Sequence, residues 1–346
     1  MRITKDKKEA VLSYILEKID SNDNVVQKTM EAFDISRKTV FKYIDELLSI
    51  NAIKRIKRGE YVLSKSVSIF SLSREKGDLN REEVIFVDNV EPIIAGLPQN
   101  VKNIWEYVFS EMMNNAIDHS NAKKVTVSVI KDFANTTIIM CDNGVGIFKK
   151  IKDFFGYDSL DDAISELFKG KLTTDSLNHS GEGIFFSSRI MDEFVIISDG
   201  KVFSHNKYDM TDISSLEDYA ELERVLSNKG TVLYMSLSNK SNKRIVDVFN
   251  KYSDVENGFI KTDIVLRNIF SSAPISRSQA KRLCERLSDF NEVELDFEGI
   301  EWMGQGFAHQ LFVVFKNNNP KVKLIPLKMS EDVEKMYNHV VNTKYK

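Results

Sequence analysis

The chain has 346 residues, of which 42% are hydrophobic and 29% charged, with a net charge of −3. That length and composition fit two or three ordinary globular domains, and no apolar run approaches a membrane span. Two cysteines, Cys141 and Cys284, sit in separate apolar patterns and five histidines lack ligand spacing, which argues against disulfides and structural zinc.

Residues 1–65 carry 14 Lys+Arg against 10 Asp+Glu, a net of +4, whereas the rest carries 34 against 41, a net of −7. A basic head on an acidic body points to a polyanion partner for the head. No apolar signal segment follows Lys5, Asp6, Lys7 and Lys8, so the expected location is the cytoplasm. A helical stripe of Ala10, Val11, Tyr14, Ile15 and Ile19 ends at the polar turn Ser21 to Asn24, and a second helix spans Val25 to Phe33. Ser36 reads as the N-cap of a third helix reaching Ile50, with Val40, Phe41, Ile44, Leu47 and Leu48 inward. Ile53 to Leu63 then reads as a hairpin with a basic tip and a turn at Gly59.

Three short helices followed by a basic hairpin resemble the winged helix-turn-helix, whose third helix enters the major groove while the wing touches backbone. The resemblance implies DNA binding. It places Arg37, Lys38, Thr39 and Lys42 toward base edges, and Lys54, Arg55, Lys57 and Arg58 toward phosphates. The alternative is a small helical domain whose basic face makes protein contacts. Residues 66–80 read as a linker, with Val67 to Leu72 a candidate strand.

Val84 to Val87 reads as a short strand, and Gly96-Leu97-Pro98 leads into a helix over 100–119. Its buried stripe is Val101, Ile104, Trp105, Val108, Phe109 and Met112. Glu111, Asn115 and Asp118 fall at i, i+4 and i+7 on one face of this otherwise apolar helix. Aligned oxygen donors of that kind suit a hydrated divalent cation such as Mg²⁺. Val125 to Ile130 alternates as a strand, and Thr136 to Cys141 is an apolar strand closed by Asp142. A carboxylate ending a buried strand needs a partner.

Asn143-Gly144-Val145-Gly146 lets the backbone turn tightly beside a ligand. The segment 148–182 is too long for a turn and reads as a lid, in which Gly170 to Thr174, with Thr173 and Thr174, and His179-Ser180 face phosphates. Gly181-Glu182-Gly183 opens a new helix, and a helix start is a natural anion site. Lys229-Gly230-Thr231 opens a strand over Val232 to Leu237.

The order E-x-x-x-N-A-x-D-H, D-x-G-x-G, a lid ending in G-x-G, and G-T before a strand resembles the Bergerat ATP site. This is the fold of the GHKL superfamily of gyrase, the heat-shock chaperone Hsp ninety, histidine kinases and MutL. A phosphate loop of the G-x-x-x-x-G-K-[ST] type is absent. The resemblance covers roughly residues 80–240 and implies that Asn115 ligates Mg²⁺, Asp142 accepts from the adenine amino group, and Thr231 assists through water. It also implies that Gly144 and Gly146 make room for purine and ribose, that Gly181 and Gly183 cradle phosphates, and that Glu111 is the general base. Asp118 follows the gyrase and MutL branch and His119 the kinase branch, so water and protein both stay open as phosphoryl acceptors.

In the last stretch, Thr262 to Ile269 and Val293 to Phe297 read as strands. Ser276 and Gln279 form a capping box for a helix ending near Leu287. A helix over Phe307 to Phe315, a strand over Lys323 to Pro326 and a helix over Ser330 to Val341 complete a small α/β layer. The run Leu295 to Phe307 resembles the STAS fold of anti-anti-sigma factors. Met303, Gly304, Gln305 and Gly306 fill the turn where that family carries a phosphorylatable serine, which favours plain protein docking.

The expected architecture is therefore multidomain α+β. A winged helix-turn-helix (1–65) and a linker (66–80) precede a Bergerat α/β sandwich (81–255), a mixed sheet with helices on one face, and a STAS-like α/β layer (256–346). The expected function is that of an ATP- and Mg²⁺-dependent regulator coupling nucleotide state to DNA, to a protein partner and to homodimerisation. The alternatives are an anti-sigma-type serine/threonine protein kinase and a non-hydrolysing ATP-binding scaffold.

Overall fold

The computed structural model describes residues 5–21, 23–172, 181–205, 230–254, 258–270 and 272–343. Helices α1 (Lys5–Asp20), α2 (Val25–Phe33) and α3 (Arg37–Ser49) close around Val11, Ile15, Val40, Ile44 and Leu47. Side chains start the second and third of these. Asn24 Oδ1 accepts from the Gln27 N–H and Ser36 Oγ from the Thr39 N–H, both at 3.2 Å. Strands β1 (Ile53–Lys57) and β2 (Glu60–Leu63) form an antiparallel hairpin that turns Ile53, Tyr61 and Leu63 into the same core. Phe133 and Ala134, from a turn far along the chain, also pack against this core.

The central sheet has six strands in the order β3-β4-β5-β8-β6-β7. They are β3 (Ser66–Ser73), β4 (Lys124–Lys131), β5 (Asn135–Asp142), β6 (Glu193–Ser198), β7 (Lys201–Ser204) and β8 (Thr231–Ser238). All its pairings among the described residues are antiparallel, so the sheet is not the mixed one expected. Within residues 66–80 the candidate strand Val67 to Leu72 is formed, and Ser66–Ser73 pairs along its whole length with β4 as the edge strand, so this part of the stretch belongs to the sheet. Its Ser/apolar alternation buries only Leu72, which is why the stretch looks like a linker in sequence.

One face of the sheet presents Val125, Val127, Val129, Ile138, Met140, Phe194, Ile196, Leu233 and Met235, each at the two-residue strand period. Helices α4 (Glu82–Asn89), α5 (Glu91–Ile94), α6 (Gln99–Asn114), α7 (Ile147–Phe155), α8 (Leu160–Lys169) and α9 (Gly183–Ile190) contribute to the core on that face. The expected strand Val84 to Val87 is part of α4 instead. Ile85 and Phe86 pack inward, and the Phe86 ring lies 5.6 Å from that of Phe109. Four adjacent apolar residues fit either period, and the acidic first turn of Glu82 and Glu83 favours a helix.

Residues 148–169, expected as part of a lid, are mostly the two helices α7 and α8 with Phe148, Ile151, Ala163, Leu167 and Phe168 in the core. Ser159 and Asp162 form a capping box at the start of α8. Apolar residues at helical spacing anchor this stretch to the sheet, and mixed polar faces hide that in the sequence.

The C-terminal layer follows α10 (Ile245–Tyr252) and a short pairing of β9 (Ser253–Asp254) with β10 (Gly258–Phe259). Strands β11 (Lys261–Val265), β12 (Glu292–Asp296) and β13 (Lys323–Leu327) are parallel. Around them lie α11 (Leu266–Ile269), α12 (Arg277–Cys284), α13 (Gln305–His309) and α14 (Glu331–Asn342). The expected strand Thr262 to Ile269 therefore ends at Val265 and gives way to α11. The capping box at Ser276 and Gln279 is formed. Among the described residues, no helix is long and apolar enough to cross a membrane.

Candidate functional site

A cavity of about 380 Å³ opens between the end of the sheet and helices α6, α7 and α9, within the size range of small-molecule sites. It is lined by Glu111, Asn115, His119 and Ser120 from one side and by Asp142, Gly146 and Thr231 from the sheet. Lys150, Gly170, Leu172, Gly181 and Gly183 complete its rim.

The sheet end is built by strand pairing. Asp142 stands opposite Val125 on one side and Thr231 on the other, on the face that carries the apolar core. Its carboxylate is 8% exposed and accepts hydrogen bonds from the Gly144 N–H at 2.7 Å and from Thr231. Burial pushes the Asp142 carboxyl up to about 6, against the pull of those two donors. A buried acceptor of this kind is able to receive a donor group of a ligand.

Thr231 Oγ1 and Ser198 Oγ each accept from the Ile147 N–H at 3.2 Å, which pins the start of α7 to the sheet. Asp199 Oδ2 accepts from the Lys149 N–H at 3.0 Å and completes that anchor. Gly146, with φ of +85°, passes so close to Asp199 that a Cβ would lie 2.6 Å from its carboxylate oxygens. Only glycine fits there. Gly144 lies outside the cavity lining and acts through its N–H on Asp142.

The opposite end is built by α6 and α9. At Asn115 the helix widens into a π-helical turn, Asn115–His119, of the kind frequent at functional sites. Glu111, Asn115 and His119 line the cavity, whereas Asp118 is exposed and outside it. The shared face expected for Glu111, Asn115 and Asp118 is thus broken, because the wider turn rotates Asp118 away.

Glu111 meets the start of α9. A Cβ on Gly183 would fall 2.1 Å from Glu111 Oε2, so the carboxylate fills the space beside that glycine. The Gly181 carbonyl accepts from the Leu172 N–H at 3.1 Å, joining these two residues at the cavity rim. The first N–H groups of a helix lack intrahelical partners, so the start of α9 suits an anion. Thr173, Thr174, His179 and Ser180 lie outside the described residues.

Lys171, expected to face phosphates, is turned away. Its ammonium donates to the Asp289 carbonyl at 2.9 Å and lies 4.8 Å from the Phe290 ring centroid. Sequence reasoning missed Lys150, whose Nζ donates to the His119 carbonyl at 2.6 Å at the cavity edge. It also missed Ser198 and Asp199. A lysine one turn into the helix after G-x-G, and an Asp-Gly turn closing β6, are the available signals.

No group of three or more His, Cys, Asp or Glu side chains suited to a metal occurs among the described residues. The Glu111 carboxylate and Asn115 amide supply only oxygen donors, which fits Mg²⁺ completed by phosphate oxygens and water.

The basic residues of the head are spread along two elements. Arg37, Lys38 and Lys42 are exposed on α3, with Arg37 over the Phe41 ring at 5.6 Å, while Thr39 is half-buried. On the hairpin, Arg55 stacks on Tyr61 at 5.4 Å and Lys57 pairs with Glu60 at 2.8 Å. Arg58 is exposed at the tip.

Comparison with known families gives two matches and a search of curated proteins gives none. Residues 279–334 match a STAS-like domain of unknown function (DUF4325). Residues 101–239 match the histidine kinase-, DNA gyrase B- and HSP90-like ATPase family, and this span holds most of the cavity. The chain therefore contains a GHKL-type ATPase domain followed by a STAS-like domain.

Proposed function

We propose that this chain is an ATP-hydrolysing regulator in which nucleotide occupancy of the cavity is passed to a DNA-reading head and a docking domain. The observation that carries this is the pairing of a buried acceptor, Asp142, at one end of the cavity with Glu111 and the glycine-bearing start of α9 at the other. In this reading Asp142 accepts from the adenine amino group and Thr231 assists. Gly181 and Gly183 lie along the phosphates, and Glu111 takes a proton from the attacking water. Asn115 would ligate Mg²⁺, which when bound neutralises phosphate charge.

Residues 1–65 are proposed as the winged helix-turn-helix, with Arg37, Lys38, Thr39 and Lys42 toward bases and Arg55, Lys57 and Arg58 toward phosphates. Three helices and a hairpin in that order support it. The head is joined to the nucleotide end by β5, whose preceding turn (Phe133, Ala134) packs on the head core and whose last residue is Asp142. Residues 81–255 are proposed as the ATP-dependent unit, and residues 256–346 as the surface for a protein partner. Nucleotide-dependent homodimerisation would add a second output.

A second reading, phosphoryl transfer to a partner protein, draws support from His119, which lines the cavity while Asp118 does not. Incubation with γ-labelled ATP tests both. Free phosphate, lost in Glu111→Ala, is the expected result, and label on protein would replace hydrolysis with the kinase reading. If ATP changed neither DNA affinity nor oligomeric state, the regulatory part would fall.

A further inference from the structure

The two shoulders of the cavity are held from outside the ATPase domain. On one shoulder, Gly170 and Leu172 line the cavity, and Lys171 between them has a left-handed backbone with φ of 52°. Arg286, from the segment after α12 in the C-terminal layer, donates through Nη2 to the carbonyls of both Gly170, at 3.1 Å, and Lys171. Its Nη1 donates to Glu166 Oε2 at 2.9 Å. Glu166 in turn accepts from Lys169, whose ammonium also donates to the carbonyls of Arg282 at 3.1 Å and Glu285 at 2.8 Å, at the end of α12. Glu166 and Lys169 are fully buried.

On the other shoulder, α9 places Phe185 and Phe186 in the C-terminal core, and Arg189 pairs with Asp263 of β11. The Leu172 N–H bond to Gly181 ties the shoulders to each other.

We infer that Arg286 is a positioning residue for the phosphate end of the nucleotide, contributed by the C-terminal layer. This rests on the ATP-site reading above. A planar guanidinium that holds two successive carbonyls and a buried carboxylate at once fixes the direction of the backbone between them, which a point charge cannot do. Through Leu172 that direction reaches Gly181, and through Gly181 the start of α9, where Glu111 meets Gly183. Among the described residues, Arg286 bonds or pairs with Glu166, Gly170, Lys171 and Asp289, none of them at the adenine end built on β5 and β8.

The test compares ATP with Mg²⁺ and adenosine as ligands, by calorimetry on the full chain. Arg286→Ala is expected to weaken ATP at least tenfold and leave adenosine unchanged. Arg286→Lys, which keeps the charge opposite Glu166, should fold if the alanine variant does not and should still weaken ATP selectively. Arg282→Ala removes a half-exposed ion pair with Asp162, 3.2 Å across the same interface, and should alter neither ligand. Equal loss of ATP and adenosine in both Arg286 variants would mark a merely structural role and overturn the inference, as would unchanged ATP binding. Failure of the wild type to bind ATP would overturn the site reading as well.

Discussion

The Glu111 carboxylate and the Gly183 backbone occupy one space: a methyl on Gly183 would lie 2.1 Å from Glu111 Oε2. Gly183→Ala must therefore push Glu111 from its place, and turnover should fall on the order of a hundredfold or more, the usual scale for a lost general base. In the Glu111→Ala background the same methyl has room, so the second substitution should cost little further. Phosphate-release rates of both singles and the double measure this non-additivity. Additive losses would show that the two residues do not share the space.

In the proposed site, Asp142 should make ATP binding pH-dependent. Its carboxyl is raised by burial to about 6, so in the empty site the ionised acceptor is lost as pH falls through that value. ATP affinity should decline below pH 6. The stability effect has the opposite sign. Because the folded value lies above the unfolded one, stability is fully present below pH about 4 and drains as pH rises toward 6, by about 3 kcal/mol. Asp142→Asn should remove that dependence in denaturation curves measured from pH 4 to 7, and it should abolish ATP binding.

The buried pair Lys169–Glu166 ties α8 to the end of α12. Without the ammonium, Glu166 keeps only Arg286 and the Arg282 and Glu285 carbonyls lose their donor, so Lys169→Met should destabilise by about 3 kcal/mol in urea denaturation. Lys169→Met combined with Glu166→Gln should recover part of that loss. A double variant as unstable as the summed singles would deny that the pair acts as a unit.

The DNA binding proposed for the head should weaken steeply with salt, with a log–log slope near −0.9 per phosphate contact. Arg58 is exposed at the hairpin tip, whereas Lys57 is paired with Glu60, so Arg58→Ala should reduce the slope by about one. Fluorescence anisotropy at four salt concentrations reads this out, and a salt-independent affinity would remove DNA from the account.

Much of the site can be read from residue order. Asp142 at a strand end, glycines at 146, 181 and 183, and Thr231 opening a strand are local signals, and all of these residues line one cavity. What is not legible comes from contacts distant in sequence. The π-helical turn that removes Asp118 leaves no mark in a sequence whose helical periodicity is otherwise regular. Lys171 looks like a phosphate ligand until Asp289 and Phe290 are brought beside it by the C-terminal layer. Val84 to Val87 is ambiguous between periods, and only packing against Phe109 decides for the helix.

In the proposed reading the cavity holds ATP with its adenine at Asp142. Calorimetric titration of ATP with Mg²⁺ into the wild type and Asp142→Asn tests it most directly. Saturable binding by the wild type, absent from a folded Asp142→Asn, is the predicted result. No binding by the wild type, or equal affinity in the two proteins, would contradict it.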